Sequence, residues 1–331
     1  MKLATRRDGT RDGALLVVSR DLRRAAPATA IVRTLQAALD DWAALAPRLA
    51  ALAAALDAGR AEGAVALDLA GLAAPLPRAF GFIDSSVYLN HMELARKLRG
   101  ATMPEAYRRE PLMSLRMSAP FLAAGDDLLL PPGDVGLDIE GEVAAIVDDV
   151  EAGTPPERAG ARIRLLTLVN DVSLRTVFAR EVAEGKTTYH GKVGAALAPV
   201  AVTPDELGAA WTGGAIALRL RCTINGQLLG EPDAATDMAF DFPRIVAEAC
   251  ARRPLPAGTV IAAGTVSNRD RAAGSACIAE RRMLETLDHG APRTPWLAAG
   301  DEIRIEMLDS AGRSVFGAIA QRVVAARPGQ A

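Results

Sequence analysis

Four carboxylates and one imidazole stand in this chain where a hard-cation enzyme site would need them. Glu140 and Glu142 fall in the run Leu137-Asp138-Ile139-Glu140-Gly141-Glu142-Val143-Ala144-Ala145-Ile146-Val147. That run reads as a strand, in which side chains alternate faces, so the two glutamates point the same way with Asp138 beside them. The flanking residues are apolar, so the segment should be buried. Carboxylates close together in such a place repel and are costly to ionise. A divalent cation removes that cost and turns it into binding energy. Asp171, in Val169-Asn170-Asp171-Val172-Ser173-Leu174-Arg175, reads as lying near the end of a second strand. Asp84 is followed seven residues later by His91, one of three histidines.

The elements that must carry these residues fall into two stretches. Residues 1–77 open with a short strand, Ala14 to Ser19, and continue into an Ala-rich helix expected from about Ala28 to Ala58. Ile31, Leu35, Leu39, Trp42, Leu45, Leu49, Leu52 and Leu56 make one apolar stripe along it, and Pro47 should bend or split it. A boundary is expected near Ala74-Pro75-Leu76-Pro77, leaving residues 78–331 as a second, strand-rich domain. There, Leu218 to Leu229 reads as a hairpin about Asn225-Gly226, the dipeptide of a type I′ turn. A second hairpin is expected from Glu302–Met307 and Ser314–Ala320, and further strands at Ile163–Val169 and Gly258–Ala262. Helices are expected near Val87–Arg99, Arg175–Glu184 and Phe242–Ala251. Helices and strands do not alternate regularly, so a doubly wound parallel sheet is excluded and an α+β, β-rich fold expected.

Composition removes several function classes. A net charge of −2 and the lack of a basic patch with interleaved aromatics give no reason to expect nucleic acid. No apolar run is long enough for a membrane helix, and the N-terminus lacks a signal-peptide core. Cys222, Cys250 and Cys277 are too widely spaced for a zinc site and read as reduced thiols of a cytoplasmic protein.

Taken in order, Asp84…His91, Asp138-Ile139-Glu140-Gly141-Glu142, Asp171…Arg175, Lys192, Gly264-Thr265-Val266-Ser267-Asn268 and Glu280 resemble the fumarylacetoacetate hydrolase family over residues 78 to 325. The combination is specific, although each piece alone is weak. The resemblance implies a mixed β-roll catalytic domain, here behind a small N-terminal α/β domain, and a homodimer. It implies a bound Mg²⁺ or Mn²⁺, with Ca²⁺ as a further option, and a small 2-oxo or diketo acid as substrate. It makes Glu140, Glu142 and Asp171 metal ligands and Asp84 an additional one; Asp138 is left outside the set. Oxygen-only donors suit a hard cation and argue against zinc or copper.

The resemblance also makes His91 the catalytic base, oriented by Glu280, with Lys192 in the catalytic set and Arg175 and Thr265 binding substrate. Read as residues alone, Asp84 could cap a helix, Glu280 could be a salt-bridged strand residue, and Lys192 could be a surface residue in a loop. The chain departs from the family after Pro111-Leu112-Met113. Bacterial relatives commonly continue with a tyrosine and glycines, whereas this chain reads Ser114-Leu115-Arg116-Met117-Ser118. Ser114 is therefore a candidate substrate contact in an altered loop, and Arg116 brings a new charge. Phe178 stands where animal members have a glutamine. The expected activity is hydrolysis of a carbon–carbon bond in a fumarylacetoacetate- or acylpyruvate-like diketo acid. The alternatives are a 2-oxo acid decarboxylase, hydratase or tautomerase on the same metal site, and a non-catalytic metal-binding protein.

Overall fold

The computed structural model describes residues 1–327. Five strands of the N-terminal segment, β1 Lys2–Arg6, β2 Ala14–Val18, β3 Arg24–Pro27, β4 Val65–Ala66 and β5 Leu72–Ala73, flank two helices, α1 Leu35–Asp40 and α2 Trp42–Asp57. The rest of the chain supplies β6 Gly81–Ser86, α3 Leu89–Leu98, β7 Leu112–Arg116, β8 Leu128–Leu130, β9 Leu137–Asp138, β10 Gly141–Val147 and α4 Pro156–Ala159. It continues with β11 Ile163–Leu174, α5 Arg175–Ala183, β12 Lys192–Leu197, β13 Ala201–Val202, β14 Leu220–Ile224 and β15 Gln227–Gly230. Then come α6 Phe242–Ala249, β16 Thr259–Ala262, α7 Ile278–His289, β17 Glu302–Met307 and β18 Ile319–Ala325.

One large sheet runs β4-β3-β2-β1-β13-β11-β10-β16-β6-β7, with β12 and β9 on β11 and β5 on β1. The N-terminal strands are thus hydrogen-bonded into the same sheet as the rest, Lys2 opposite Val202 and Leu3 opposite Ala201. A smaller sheet, β15-β14-β17-β18-β8, packs across it. Strands β10 and β11 are buried on both faces, which is why their sequences read as near-continuous apolar runs. One face of the large sheet, through Phe82, Ile146, Leu165 and Val260, packs with Leu35, Leu39, Leu49 and Leu56 of α1 and α2. The other, through Val143, Ala145 and Leu168, packs with Leu220, Ile303, Ile305 and Ile319 of the smaller sheet. Gly141 lets the two sheets approach, since a Cβ there would lie 2.8 Å from Cys222 Sγ. The three cysteines are free and buried, and among the described residues no helix is long and apolar enough to cross a membrane.

Several boundaries differ from the sequence expectation. The Ala-rich helix starts at Leu35, where Thr34 caps it through Ala37 N, and it breaks at Asp41 (φ −133°, ψ 47°) rather than at Pro47. Pro47 lies near the start of α2 and forfeits a single hydrogen bond there, which that helix tolerates. The apolar stripe still turns inward on both helices. The Asn225-Gly226 hairpin forms with both residues at positive φ, as a type I′ turn requires. The last return strand is Ile319–Ala325, not Ser314–Ala320, with Ile305 opposite Ile319 across a wider connection.

Candidate metal and catalytic site

Three strands of the large sheet each end their apolar face in a carboxylate. Phe82, Ala144 and Val169 belong to the core under α1 and α2. Two residues after them on β6 and β11, and two residues before on β10, on the same face by strand periodicity, stand Asp84, Asp171 and Glu142. Each of the three offers an oxygen within 4.8 Å of the others, and all three are buried. Asp171 lies in the last third of β11, which runs on to Leu174. Asp84 Oδ1 and both oxygens of Glu142 are buried without a hydrogen-bond partner. Burial, and then the nearby Asp171 charge, push the Asp84 carboxyl up to about 7. Burial, with Asp84 and Asp171 close by, also drives Glu142 well above the usual carboxylate range.

Glu140 behaves differently. The strand expected over 137–147 is interrupted at Ile139 and Glu140, between β9 and β10. The Glu140 carboxylate is fully engaged: Oε1 by Arg175 Nη1 at 2.7 Å and Ser173 Oγ at 3.1 Å, Oε2 by Lys192 Nζ at 2.8 Å. Burial opposes its ionisation, but Arg175 and Lys192 hold its carboxyl well below the usual range. Lys192 opens β12 and is buried, not a loop residue, and it also donates to Asp171 Oδ2 at 2.6 Å. Arg175 is the first residue of α5 and donates through Nε to Asp138 Oδ2 at 2.8 Å. Between Asp171 and Arg175 the chain passes from the end of β11 into α5.

Arg116, on β7, donates through Nη2 to Asp84 Oδ2 at 2.7 Å, and its Nε lies 3.5 Å from Asp171 Oδ2. The segment expected as an altered loop is this edge strand, pairing Ser114 with Asp84 and Arg116 with Phe82. Ser114, expected as a substrate contact, is half-buried on the same face as Leu112 and Arg116, but those two line the cavity and Ser114 does not. Five carboxylates, of Asp84, Asp138, Glu140, Glu142 and Asp171, thus meet three cations, of Arg116, Arg175 and Lys192. With all five ionised, as a bound cation would require, the excess of two negative charges is what one divalent ion cancels.

The imidazole lies beside this cluster. His91 Nδ1 is 2.7 Å from Glu280 Oε2, and Glu280 is almost wholly buried while the His91 side chain is 21% exposed. With Glu280 as carboxylate, Nδ1–H donates to it and Nε2 is left as the acceptor. Asn90 ties the start of α3 to Ser267 Oγ at 2.8 Å and to the Asn268 carbonyl at 2.9 Å, which fixes where His91 points. Glu280 sits in the first turn of α7 and not on a strand. That turn is held by Asp138, which accepts from the Ile278 and Ala279 amides at 2.7 and 2.9 Å. Asp138 thus joins the helix carrying Glu280 to the guanidinium of Arg175.

A cavity of about 420 Å³ brings together His91, Arg116, Glu142, Arg175, Lys192 and Thr265, with Phe178 on its wall. Thr265 is buried beside Gly264, whose φ of +88° and whose 2.1 Å approach of a would-be Cβ to the Ser85 carbonyl leave room only for glycine. Sequence reasoning left Asn90 unnamed, kept Asp138 outside the ligands, and named Arg116 only as a new charge. All three became visible through their contacts. The converging oxygens without partners, all of hard carboxylate type, fit a divalent cation of the Mg²⁺, Mn²⁺ or Ca²⁺ kind.

Residues 85–324 match the family model "Fumarylacetoacetate (FAA) hydrolase C-terminal", and residues 1–78 match "Fumarylacetoacetase N-terminal domain 2". The chain belongs to the fumarylacetoacetate hydrolase family. It is 26% identical over 184 residues to an uncharacterized protein of Archaeoglobus fulgidus, a match spanning 54% of this chain and 66%, just under two thirds, of that protein. Among solved structures it resembles maleylpyruvate hydrolase from Sphingobium sp. SYK-6 in complex with manganese(II) and pyruvate (TM-score 0.65, 20% identity, 99% of this chain and 100% of that one). It also resembles 5-carboxymethyl-2-hydroxymuconate delta-isomerase from Mycobacterium smegmatis (TM-score 0.54, 21% identity, 80% and 84%). At these identities the likeness establishes the fold, and that fold carries both hydrolases and isomerases.

Proposed function

We propose that this protein is a metal-dependent hydrolase that cleaves a carbon–carbon bond in a fumarylacetoacetate- or acylpyruvate-like diketo acid. The observation that carries the reading is the 2.7 Å His91–Glu280 pair set beside the unpartnered oxygens of Asp84 and Glu142 in one cavity. Asp84, Glu142 and Asp171 would hold the cation, with Glu140 next to them. Once bound, the cation supplies polarisation of a ketone oxygen and a counter-charge for an enolate. His91 Nε2 takes a proton from water as that water attacks the ketone carbon. The bond to the neighbouring methylene breaks, its electron pair stays on the leaving enolate, and His91 returns the proton to the enolate carbon. Glu280 holds the imidazole ring and balances its charge. Lys192 has a third N–H to offer, and Arg175 and Thr265 stand where a substrate carboxylate can be met.

The manganese- and pyruvate-bound hydrolase of the same fold supports a small 2-oxo acid ligand, and the isomerase of that fold keeps non-hydrolytic 2-oxo acid chemistry as the competing reading. A panel of acylpyruvates with Mg²⁺ or Mn²⁺, followed for cleavage and for CO₂ release, separates the two. Hydrolysis requires that His91→Ala lower kcat by about 10²–10⁴ with metal still bound. Undiminished turnover, or product without cleavage, would transfer the assignment to a decarboxylase, hydratase or tautomerase. The same reading takes the molecule to act as a homodimer, which sedimentation velocity checks.

A further inference from the structure

Two primary amides lie in the apolar layer between the sheets. Asn170 of β11 is wholly buried and Gln321 of β18 is 3% exposed. By strand periodicity they share their faces with Leu168 and Val172 on one strand and with Ile319 and Val323 on the other. An amide in such a place is costly unless its polar atoms find partners. These two find them in series. Gln321 Nε2 donates to the Asp126 carbonyl at 2.9 Å. Asn170 Nδ2 donates to Gln321 Oε1 at 3.0 Å, and Asn170 Oδ1 accepts from the Glu140 amide at 3.1 Å. The series has one direction. A carbonyl at one end only accepts and an N–H at the other only donates, so turning either amide over would set donor against donor or acceptor against acceptor.

The end at Glu140 falls where the large sheet is interrupted. Asp171 N donates to the Glu140 carbonyl at 3.1 Å, as in a regular antiparallel pair. The return bond, from the Glu140 amide to the Asp171 carbonyl, is replaced at both ends: Ser173 Oγ donates to that carbonyl at 3.1 Å, and the Asn170 side chain takes the amide. On either side of the interruption the register is regular, with Gly141 opposite Asn170 and Asp138 opposite Ser173. One core side chain thus holds open the break beside Glu140 and Asp171. What orients that side chain belongs to the other sheet, 151 positions away.

We propose that Gln321 is a positioning residue for the carboxylate cluster: it fixes the Asn170 amide with its oxygen toward Glu140, and through that bond sets the spacing of Glu140 and Asp171. The inference rests on the reading above that the cluster holds a divalent cation. Groups that orient a ligand from behind carry about tenfold to a hundredfold in metal affinity. The test titrates variants with Mn²⁺ by calorimetry and unfolds each in urea. Leucine suits the apolar layer and offers Asn170 no acceptor, whereas glutamate, ionised or protonated, still turns an oxygen to Asn170 Nδ2. Mn²⁺ affinity should fall about tenfold to a hundredfold in Gln321→Leu and stay within about threefold of the wild type in Gln321→Glu. Ile305→Ala loosens the smaller sheet without touching the two amides, so it should lower the urea midpoint and leave the affinity unchanged. In an Asn170→Leu background, Gln321→Leu should cost no further affinity, because the series is already cut.

Wild-type affinity in Gln321→Leu overturns the proposal. So does a loss in Ile305→Ala as large as that in Gln321→Leu, since affinity would then follow stability alone. Additive losses from Asn170→Leu and Gln321→Leu would show that Gln321 acts other than through Asn170, and overturn it too. If the wild type itself takes up no Mn²⁺, the cation reading falls and this proposal with it.

Discussion

At the scale of single residues, the site is defined by what lacks a partner. Glu142 is fully buried, has no donor to either oxygen, and faces two further carboxylates. Such a group is tolerated only if it is protonated or bound to a cation. Glu142→Gln keeps the shape and removes the charge. Mn²⁺ affinity should fall more than about a hundredfold, a larger loss than for residues that merely support a ligand. The metal-induced rise in Tm should vanish, while the Tm of the metal-free variant should be no lower than that of the wild type. Retained metal affinity by calorimetry would remove Glu142 from the ligand set. The pH dependence has a defined sign. The folded-state pKa of Asp84, about 7, lies above the ordinary 3.8, so the group stabilises the metal-free fold when protonated, and that contribution is lost as pH rises through about 7. Metal binding must expel the same proton, so Mn²⁺ affinity should climb by about tenfold per pH unit for each proton displaced, up to about pH 7. The gap in Tm between loaded and metal-free protein should therefore widen from about pH 5 to about pH 8. A gap that does not change with pH would show that the carboxylates are already ionised without metal.

At the scale of elements, the least legible pieces are those whose local pattern carries little of their burial. Helix α7 buries only Ile278 and Glu280, so its sequence shows charge where an apolar stripe would announce a helix, and Glu280 could be read as a strand residue. What fixes the helix is distant: Asp138 caps it from β9, across 140 positions of sequence. The hairpin at Asn225-Gly226 was legible because its turn is a property of two adjacent residues, and the burial of Glu140 and Glu142 because paired acids in an apolar run are costly without a reason. Lys192 was not legible as a strand residue, since its burial depends on Glu140 and Asp171, which other strands bring to it. The fully engaged carboxylate of Glu140 likewise depends on Arg175 and Lys192 arriving from elsewhere. The role of Asp138 can be tested. Asp138→Ala strips two α7 amides of their acceptor and leaves Arg175 with one fewer counter-charge in a buried place. Unfolding in urea should show a loss of about 3–5 kcal/mol, the usual cost of breaking a buried charge pair from one side. The loaded variant should also lose turnover more than Mn²⁺ affinity, because Glu280 is displaced while the metal-facing oxygens remain. Equal losses of both would mean that Asp138 supports the whole cluster and not the catalytic pair.

For the whole molecule, the large sheet is a continuous surface whose face under α1 and α2 is apolar along its middle and acidic at one end. The N-terminal segment is built into that sheet by β1 against β13, and its helices cover Phe82, Ile146, Leu165 and Val260. Further toward one end of the same face stand Asp84 on β6, Glu142 on β10 and Asp171 on β11. We therefore propose that the boundary near Pro77 separates two stretches of sequence that do not stay folded apart. A chain beginning at Arg78 would uncover the large apolar face together with Phe121, a patch larger than a soluble monomer sustains. It should aggregate, or, if rescued by mild detergent, bind Mn²⁺ at least about tenfold more weakly, because the strands that set the carboxylate spacing lose the packing on one side. Co-expression of residues 1–77 as a separate chain should restore both solubility and metal binding, since the strand pairing and the helix cover need no peptide bond at the junction. A soluble, monodisperse 78–331 fragment with unchanged Mn²⁺ affinity would show instead that the acidic end of the sheet is organised by its own strands and the smaller sheet alone.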